Sequence, residues 1–286
     1  MKADVTPFFD ERTFTVTYVV ANPGSGACAV VDSVLDYDSK SGRTSTASAD
    51  KVLAFVRDNE LEPKWILETH AHADHLTAAR YLRENLGART GIGAAVPRVQ
   101  QTFAEIFNIG PEFPRDGSQW DRLFEDGDVE PLGELAIEAM HTPGHTPACV
   151  CYRIGDAVFT GDTIFMPDMG TGRCDFPGGS AAQLYASIQR ILALPPETRV
   201  FAGHDYGPGG RPNAWESTVR DQRATNIHVR DGISEQEFVR MREARDAELD
   251  LPNLILPSVQ VNIRGGALPP PEDNGVSYLK IPLNAL

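Results

Sequence analysis

The sequence predicts an α/β protein in which two mixed β-sheets pack face to face and helices cover both outer sides. Three observations predict this αββα sandwich: β-type segments alternate with amphipathic helices, the alternation occurs in two similar halves, and histidines and aspartates stand where strands end. The chain has 286 residues, of which 41% are hydrophobic and 23% charged, as in folded globular proteins. We therefore expect residues 1–286 to form one domain with a C-terminal extension from about residue 212.

Hydrophobic periodicity predicts the elements of the first half. Thr13–Val20 alternates threonine with apolar and aromatic residues, which predicts a hairpin with Ala27–Val31 across the turn Asn22–Gly26. The patterns that follow predict a helix over Ser48–Arg57, a strand over Trp65–Leu67, a helix from His75 to Gly87 and a helix over Val96–Phe107. The first run of histidines is thus expected in the loop that leaves a strand.

The second half is richer in short strands. The predicted strands are Leu135–Met140, Cys149–Ile154, Ala157–Thr160 and Arg199–Ala202. Ser180–Leu194 has an apolar face of helical spacing and predicts a helix between them. The C-terminal part adds the segment Trp215–His228, a helix around Phe238–Asp246 and a surface turn at Pro269–Pro271.

Potential metal ligands are concentrated in a few short motifs. Five of the seven histidines fall in this set. Its members are His70, His72, Asp74, His75, His145, Asp162 and His204. Imidazoles and carboxylates hold first-row metal ions, which activate water or oxygen for chemistry that side chains alone do not perform. The set therefore predicts a catalytic metal site at the ends of strands from both halves.

Charge and composition restrict the possible partners and the location. The formal net charge is −14, and such a negative field repels nucleic acid and anionic membranes. No apolar run approaches the length of about 20 residues that a membrane span needs, and the start shows no secretory signal. The four cysteines show no CxxC spacing, which favours reduced thiols and a cytoplasmic location. An anionic substrate would need local arginines, for which Arg173, Arg211 and Arg264 are candidates.

Four motifs in this order resemble the metallo-β-lactamase superfamily. They are His70-x-His72-x-Asp74-His75, Thr142-Pro143-Gly144-His145-Thr146, Thr160-Gly161-Asp162-Thr163 and Gly203-His204-Asp205-Tyr206. The resemblance spans about residues 10 to 265 and implies an αββα sandwich with a metal site at the edge of the two sheets. It agrees with the architecture expected from periodicity.

Finer motifs resemble one branch of that superfamily, the persulfide dioxygenases of the ethylmalonic encephalopathy protein type. They are Gly172-Arg173-Cys174-Asp175-Phe176, Leu184-Tyr185, Asp205-Tyr206 and Asn262-x-Arg264-Gly265. In addition, Asp36-Tyr37-Asp38 with Ser41-Gly42-Arg43-Thr44 resembles longer bacterial members called β-lactamase-hydrolase-like proteins. This likeness implies oxidation of a persulfide, in particular glutathione persulfide, by O₂ to sulfite and the thiol.

The resemblance also implies a metal and its ligands. One Fe(II) per chain would be held by residues matching His70, His145 and Asp162, the two-histidine, one-carboxylate set of non-haem oxygenases. The remaining members, His72, Asp74, His75 and His204, would then orient these ligands. The alternative is a glyoxalase II-like hydrolase of thioesters or lactones, in which all seven residues bind two Zn(II) ions.

Substrate contacts and partners complete the expectations. Candidates for binding the carboxylates and peptide groups of glutathione are Arg173, Tyr206, Arg211, Asn262 and Arg264. Cys174, beside Arg173, is either a packed thiol or a group that is oxidised or persulfidated during turnover. A sulfurtransferase partner would be a separate chain. The apolar residues of Pro257–Leu286, among them Val259, Val261, Ile263, Tyr278 and Ile281, pack on the core or on another subunit, and a homodimer is expected.

Overall fold

A computed structural model describes residues 1–284 and contains short strands throughout. In chain order, the strands are β1 Asp4–Asp10, β2 Thr15–Ala21, β3 Ala27–Val31, β4 Val34–Asp38, β5 Arg43–Ser45, β6 Glu62–Leu67, β7 Leu76–Thr77, β8 Arg89–Gly93, β9 Arg122–Phe124, β10 Val129–Leu132, β11 Leu135–His141, β12 Val150–Ile154, β13 Ala157–Phe159, β14 Arg199–Phe201 and β15 Glu216–Thr218. The helices are α1 Ala47–Asp58, α2 Ala79–Leu86, α3 Val96–Ile106, α4 Ala181–Leu192, α5 Val219–Thr225, α6 Glu235–Asp246 and α7 Ile255–Asn262.

Two six-stranded mixed sheets form the centre of the fold. The first has the order β1-β2-β3-β6-β8-β9, and the second has the order β10-β11-β12-β13-β14-β15. In the first sheet β3, β6, β8 and β9 run parallel to one another, whereas in the second only β13 and β14 pair in parallel. A small three-stranded sheet, β5-β4-β7, stands beside them. The carboxyl ends of the central strands of both sheets therefore carry the loops that can build a site.

Apolar side chains form separate layers on the two faces of each sheet. The layer between the sheets contains Tyr18, Leu67, Tyr152 and Phe201. On the outer face of the first sheet, α1 and α2 cover Val30 and Ile66. On the outer face of the second, α4 and α6 cover Val158 and Val200. This is the αββα sandwich that periodicity predicted, because each sheet buries one face on its partner sheet and the other on helices.

Several elements differ from the sequence prediction, among them short strands such as β4, β9 and β10 that it did not contain. Strand β1 was not predicted because it contains acids and Pro7, which a strand tolerates at a sheet edge, where β1 lies. Helix α2 does not begin at His75, as predicted, but at Ala79. The intervening Leu76 and Thr77 pair with β4, and that pairing holds the end of the histidine motif extended. Helix α7 was also missed, although its residues are mostly buried.

The C-terminal segment divides into a buried part and an exposed part. Val259, Val261 and Ile263 are buried within the fold, while Tyr278 and Ile281 are 47% and 69% exposed. The last two residues of the predicted segment lie outside the described part of the chain. Among residues 1–284, no helix has the length and apolar character needed to cross a membrane.

Candidate metal centre

The residues of the predicted metal set come from four loops at one edge of the sandwich. The motif His70–His75 follows β6 of the first sheet. In the second sheet His145 lies between β11 and β12, Asp162 follows β13, and His204 follows β14. Tertiary structure thus brings together residues that are up to 134 positions apart in the chain (204 − 70).

The seven side chains form two groups of closely spaced ligand atoms. One group is His70, His145 and Asp162, and the other is His72, Asp74, His75 and His204; within each group the ligand atoms lie within 4.8 Å of one another. Asp162 faces both groups, because its Oδ2 lies 3.6 Å from His145 Nε2 and its Oδ1 lies 3.3 Å from His204 Nε2. The arrangement provides for one metal ion or for two that share Asp162.

Unpartnered polar atoms show that the site fits a metal. Within residues 1–284, the buried atoms that lack a hydrogen-bond partner include His70 Nε2, His72 Nδ1, His75 Nε2, His204 Nε2 and Asp162 Oδ1. Leaving buried polar atoms unpaired costs about 1–3 kcal/mol each, so five of them at one place need an explanation. A metal ion bound by these residues supplies it.

Asp32 orients two of the histidines from behind. Its Oδ1 accepts hydrogen bonds from Thr69 N at 2.7 Å and from His72 Nε2 at 3.1 Å, and its Oδ2 accepts one from the Thr69 hydroxyl at 2.8 Å. The Thr69 oxygen in turn lies 3.0 Å from His70 Nδ1, which donates to it. Both imidazoles therefore present their other nitrogen to the site, as expected of histidine ligands held by a carboxylate.

Burial and neighbouring charges set the protonation of His70 and of Asp74. Burial, together with His72 and His145, lowers the pKa of His70 well below its usual range, so its free nitrogen is available as a ligand. Burial opposes ionisation of Asp74, but His204 and His75 outweigh it and hold the pKa of Asp74 well below its usual range. An ionised carboxylate among imidazoles is a donor set that suits a divalent first-row metal.

Two glycines allow the loops to approach each other. Gly161 has φ +47°, and a Cβ there would lie 2.3 Å from Thr69 Oγ1, which belongs to the hydrogen-bond chain behind His70. Gly144 has φ +146°, and a Cβ there would lie 2.3 Å from the backbone of Leu184 in α4. Both motifs need glycine because any side chain would displace Asp162 or His145, the residues that follow.

The ring of His145 is oriented by a loop that α6 holds in place. His145 Nδ1 donates to the carbonyl of Arg173 at 2.7 Å. Buried Asp246 accepts a hydrogen bond from Cys174 N at 2.8 Å and lies 2.6 Å from Nη2 of buried Arg242. Arg242 Nη1 also donates to the carbonyl of Thr171 at 3.2 Å. The Arg242–Asp246 ion pair on α6 therefore holds residues 171–174 in place, and these residues in turn orient the imidazole of His145.

A cavity of about 580 Å³ opens onto this centre. Asp74, His145 and Asp162 form part of its wall, so the ligand atoms are accessible from it. Phe165 and Phe176 supply apolar surface, and Phe176 packs edge-on against His145 with ring centroids 5.2 Å apart. The volume is in the range of small-molecule sites, which are typically about 300–1,000 Å³.

Of the predicted substrate contacts, Arg173 and Tyr206 line the cavity. The ring of Tyr206 lies parallel to that of His204, with centroids 6.1 Å apart, and is half exposed. The guanidinium of Arg173 is held by Asp175 at 2.5 Å and by the carbonyl of Asp250 at 2.6 Å, so most of its donors are already engaged. Of these two residues, Tyr206 is the one free to contact a ligand.

The other three predicted contacts lie outside the cavity wall. Arg211 pairs with both Asp168 and the fully buried Asp205, so it holds the loop after His204. Asn262 is buried and donates to the carbonyls of His72 and His75, both at 2.8 Å. Arg264 lies over the ring of Phe113, 4.7 Å from its centroid, beside a different cavity. These contacts give the three residues structural roles away from the ligand of this cavity.

Sequence reasoning missed three arginines that do line the cavity: Arg12, Arg242 and Arg245. The i, i+3 spacing of the last two on the predicted helix Phe238–Asp246 was the available signal. It could not be used, because the sequence does not reveal which helix face meets the cavity.

Cys174 is a packed residue of the α4–α6 layer. It is 8% exposed and belongs to the same apolar cluster as Leu184 and Ile188. Burial, followed by the charge of Asp246, raises the pKa of its thiol, which keeps it protonated. This environment favours the packing interpretation over oxidation during turnover.

Two facing sheets, outer helices and a histidine and aspartate set at one edge define an αββα metalloprotein. The model of the metallo-β-lactamase superfamily matches residues 10–204, and the chain belongs to this superfamily. The predicted fold and family are thereby confirmed.

Three relatives with different descriptions are similar to this chain over most of its length. A β-lactamase hydrolase-like protein of Agrobacterium fabrum is 55% identical over 99% of this chain, which spans 65% of that protein. Glyoxylase B2 of Dictyostelium discoideum is 50% identical over 100% of this chain and 98% of its own length. A mitochondrial persulfide dioxygenase, ETHE1 of Bos taurus, is 31% identical over 92% of this chain and 89% of its own.

A solved structure shares the fold over most of its length. The crystal structure of ETHE1 from Myxococcus xanthus superposes with a TM-score of 0.73 and 29% identity, covering 92% of this chain and 100% of that one. The chain is therefore a member of a superfamily of metal-dependent enzymes that includes hydrolases and dioxygenases.

Proposed function

We propose that the protein is an Fe(II)-dependent persulfide dioxygenase that oxidises glutathione persulfide. The observation that carries the proposal is the separate group of His70, His145 and Asp162, two members of which face the cavity. Two histidines and one carboxylate are the donor set of non-haem iron oxygenases. The likeness to a persulfide dioxygenase over 92% of the chain supports the same activity.

The proposed reaction balances without a further reductant. A persulfide RSSH, O₂ and H₂O give the thiol RSH and sulfurous acid, which ionises to sulfite. The terminal sulfur is oxidised from the formal state 0 to +4, and its four electrons reduce O₂ completely. The S–S bond breaks, and the inner sulfur retains the electron pair and takes up a proton. Bound Fe(II) would supply sites for sulfur and O₂ and accept electron density between them.

The chain's own residues prepare this chemistry. The carboxylate of Asp32 and the hydroxyl of Thr69 hold a proton on His70 Nδ1 and leave Nε2 free. The carbonyl of Arg173 does the same for His145. Phe165 and Phe176 give the wall beside the ligands an apolar surface, which would limit access of water to a bound persulfide.

A second candidate is a dinuclear hydrolase of glutathione thioesters or lactones. The second group, His72, Asp74, His75 and His204, is complete, and Asp162 stands between the two groups. Identity of 50% to a glyoxylase over full length favours this alternative. The two activities differ in metal number and in the need for oxygen, so they can be separated directly.

The test is metal content and oxygen consumption in one preparation. Protein purified anaerobically and supplied with Fe(II) is expected to hold one iron per chain, consume O₂ with glutathione persulfide and release sulfite in equal amount. S-lactoylglutathione is expected to remain intact. Two zinc ions per chain, no oxygen uptake and cleavage of the thioester would establish the hydrolase and reject the dioxygenase.

Replacing His204 with alanine separates the two activities further. His204 Nε2 lies 3.3 Å from Asp162 Oδ1 and belongs to the second group, so its loss is expected to leave one iron bound per chain at saturating Fe(II) and to lower the iron-dependent oxygen uptake by about 10- to 100-fold without abolishing it, as for loss of a residue that orients metal ligands. Metal analysis and an oxygen electrode measure both quantities. His141→Asn, which alters a half-buried histidine outside the set, is the control. Loss of one of two bound metals together with all activity would contradict the dioxygenase assignment.

Two partner predictions remain proposals for solution experiments. We propose a homodimer, which sedimentation of the full chain would test. The exposed Tyr278 and Ile281 are natural positions for variants that weaken it. We also propose a separate sulfurtransferase that exchanges persulfide with this enzyme, which a coupled assay of the two proteins would test.

A further inference from the structure

The cavity presents cations in a protein of strong negative charge. The formal net charge is −14, yet the wall of the cavity includes Arg12, Arg173, Arg242 and Arg245. Of its carboxylates, Asp74 and Asp162 belong to the metal set, which leaves Asp250 as the remaining acid of the wall within the described residues. Arginines thus gather at this cavity although the whole molecule is negative, as an anionic ligand would require.

Two of these arginines have no carboxylate partner. Arg12, in the turn between β1 and β2, and Arg245, on α6, are exposed, and within residues 1–284 neither has an acidic oxygen within 4.0 Å. In contrast, Arg173 of the same wall and Arg211 outside it are paired with aspartates. Guanidinium groups left unpaired at a cavity wall are available to a ligand carboxylate.

Arg242 supplies the second, independent sign of a ligand. The residue is 1% exposed, and its Nη atoms bind Asp246 and the carbonyl of Thr171. Its Nε has no acceptor among residues 1–284, although the side chain forms part of the cavity wall. A buried N–H without an acceptor is costly in the free protein, and a bound anion removes that cost.

We propose that Arg242 and Arg245 form a carboxylate subsite that holds the thiol carrier of the substrate, with Arg12 as a further cation of the same wall. The two arginines stand three residues apart on α6 and therefore on one face of the helix. The inference rests on the proposed function, because the carboxylate is taken to belong to the persulfide molecule whose reacting sulfur lies at the metal ligands. It assigns the carboxylate of a glutathione-like carrier to α6, where sequence motifs had not placed it.

Binding of the unreactive thiol tests the subsite without turnover. Calorimetric titration of the anaerobic, metal-loaded protein with reduced glutathione is expected to give about tenfold weaker binding for Arg245→Gln than for wild type, as for loss of one charged hydrogen bond. Arg245→Lys, which keeps the charge, is expected to recover part of the affinity. Arg240→Gln, which removes an exposed charge from the same helix outside the cavity, is the matched control and should bind as wild type does.

The esterified ligand shows whether carboxylates are what the arginines hold. Glutathione dimethyl ester is expected to bind wild type about tenfold more weakly than glutathione and to bind Arg245→Gln and wild type equally. Equal affinity of wild type for glutathione and its diester, or equal binding of glutathione by Arg245→Gln and Arg240→Gln, would overturn the proposal. Failure of wild type to bind glutathione would overturn it as well.

Failure of the proposed function gives a different pattern. If the wild type consumes no oxygen with glutathione persulfide but Arg245→Gln still weakens glutathione binding, the dioxygenase assignment fails and the subsite stands. If oxygen is consumed and Arg245→Gln changes neither the KM for the persulfide nor glutathione affinity, the subsite fails and the function stands.

Discussion

Replacing Asp32 with asparagine is expected to weaken metal binding about 10- to 100-fold, the usual cost of losing a carboxylate behind histidine ligands. Asp32 accepts three hydrogen bonds, two from Thr69 and one from His72 Nε2, and through Thr69 it also orients His70. An asparagine has the same shape but replaces one acceptor oxygen by a donor. At least one of these bonds is then lost, and the histidine that depends on it loses its fixed tautomer.

Competition with a chelator under anaerobic conditions measures this change. Asp36→Asn provides a matched control, because Asp36 also accepts a backbone and a hydroxyl hydrogen bond, from Ser48, but at the start of α1. We expect this control to bind metal as wild type does. If Asp32→Asn matches it, Asp32 has no part in orienting the ligands.

Replacing Asp246 with alanine is expected to lower the free energy of unfolding by about 3–5 kcal/mol, the typical cost of leaving one member of a buried ion pair alone. Asp246 and Arg242 are 6% and 1% exposed, and Nη2 of the arginine lies 2.6 Å from Oδ1 of the aspartate. The variant also loses the hydrogen bond from Cys174 N, which fixes the peptide group whose carbonyl, that of Arg173, orients His145. We therefore expect activity to fall even where the protein remains folded.

Urea unfolding followed by circular dichroism measures the stability change. Asp231→Ala breaks the exposed pair with Arg223 and is expected to cost less than about 1 kcal/mol, because solvent screens such pairs. A loss for Asp246→Ala no greater than that of Asp231→Ala would show that the buried pair does not hold the loop in place.

The contrast between the metal centre and the cavity explains what could be predicted. Each metal motif is a short run of histidines and aspartates whose capacity to bind metal can be recognised from the residue types alone. Each also lies next to a strand with a recognisable apolar pattern, so the placement of the motifs at strand ends was expected. Arg211 and Asn262, in contrast, were expected to contact the substrate, yet Arg211 pairs with Asp205 and Asn262 donates to backbone carbonyls. Proximity to His204 and a motif resemblance singled out these two residues, but neither could reveal which groups they bind.

Hydrophobic periodicity also gave a wrong prediction where strand pairing outweighed a local helical pattern. Leu76 and Thr77 continue a helical pattern but are drawn into a strand beside β4, so α2 starts at Ala79. Strand β1 was hidden by its acids and proline, which an edge position tolerates. For Leu76 and Thr77 the deciding interaction is with β4, about 40 residues earlier in the chain. For β1 it is the position at the edge of the sheet, where one side of the strand is free of a partner strand.

By itself, the sequence determined the αββα class, the superfamily and the set of seven side chains able to hold metal, because these depend on periodicity and on residue types within short motifs. The family resemblance also implied how the seven divide into two groups, whereas only the tertiary structure decided which arginines face the cavity. The physical reason is that a ligand site is defined by distances and directions between side chains on different elements. Arg245, for example, is a candidate for substrate binding only because the packing of α6 places it in the wall of the same cavity as the metal ligands.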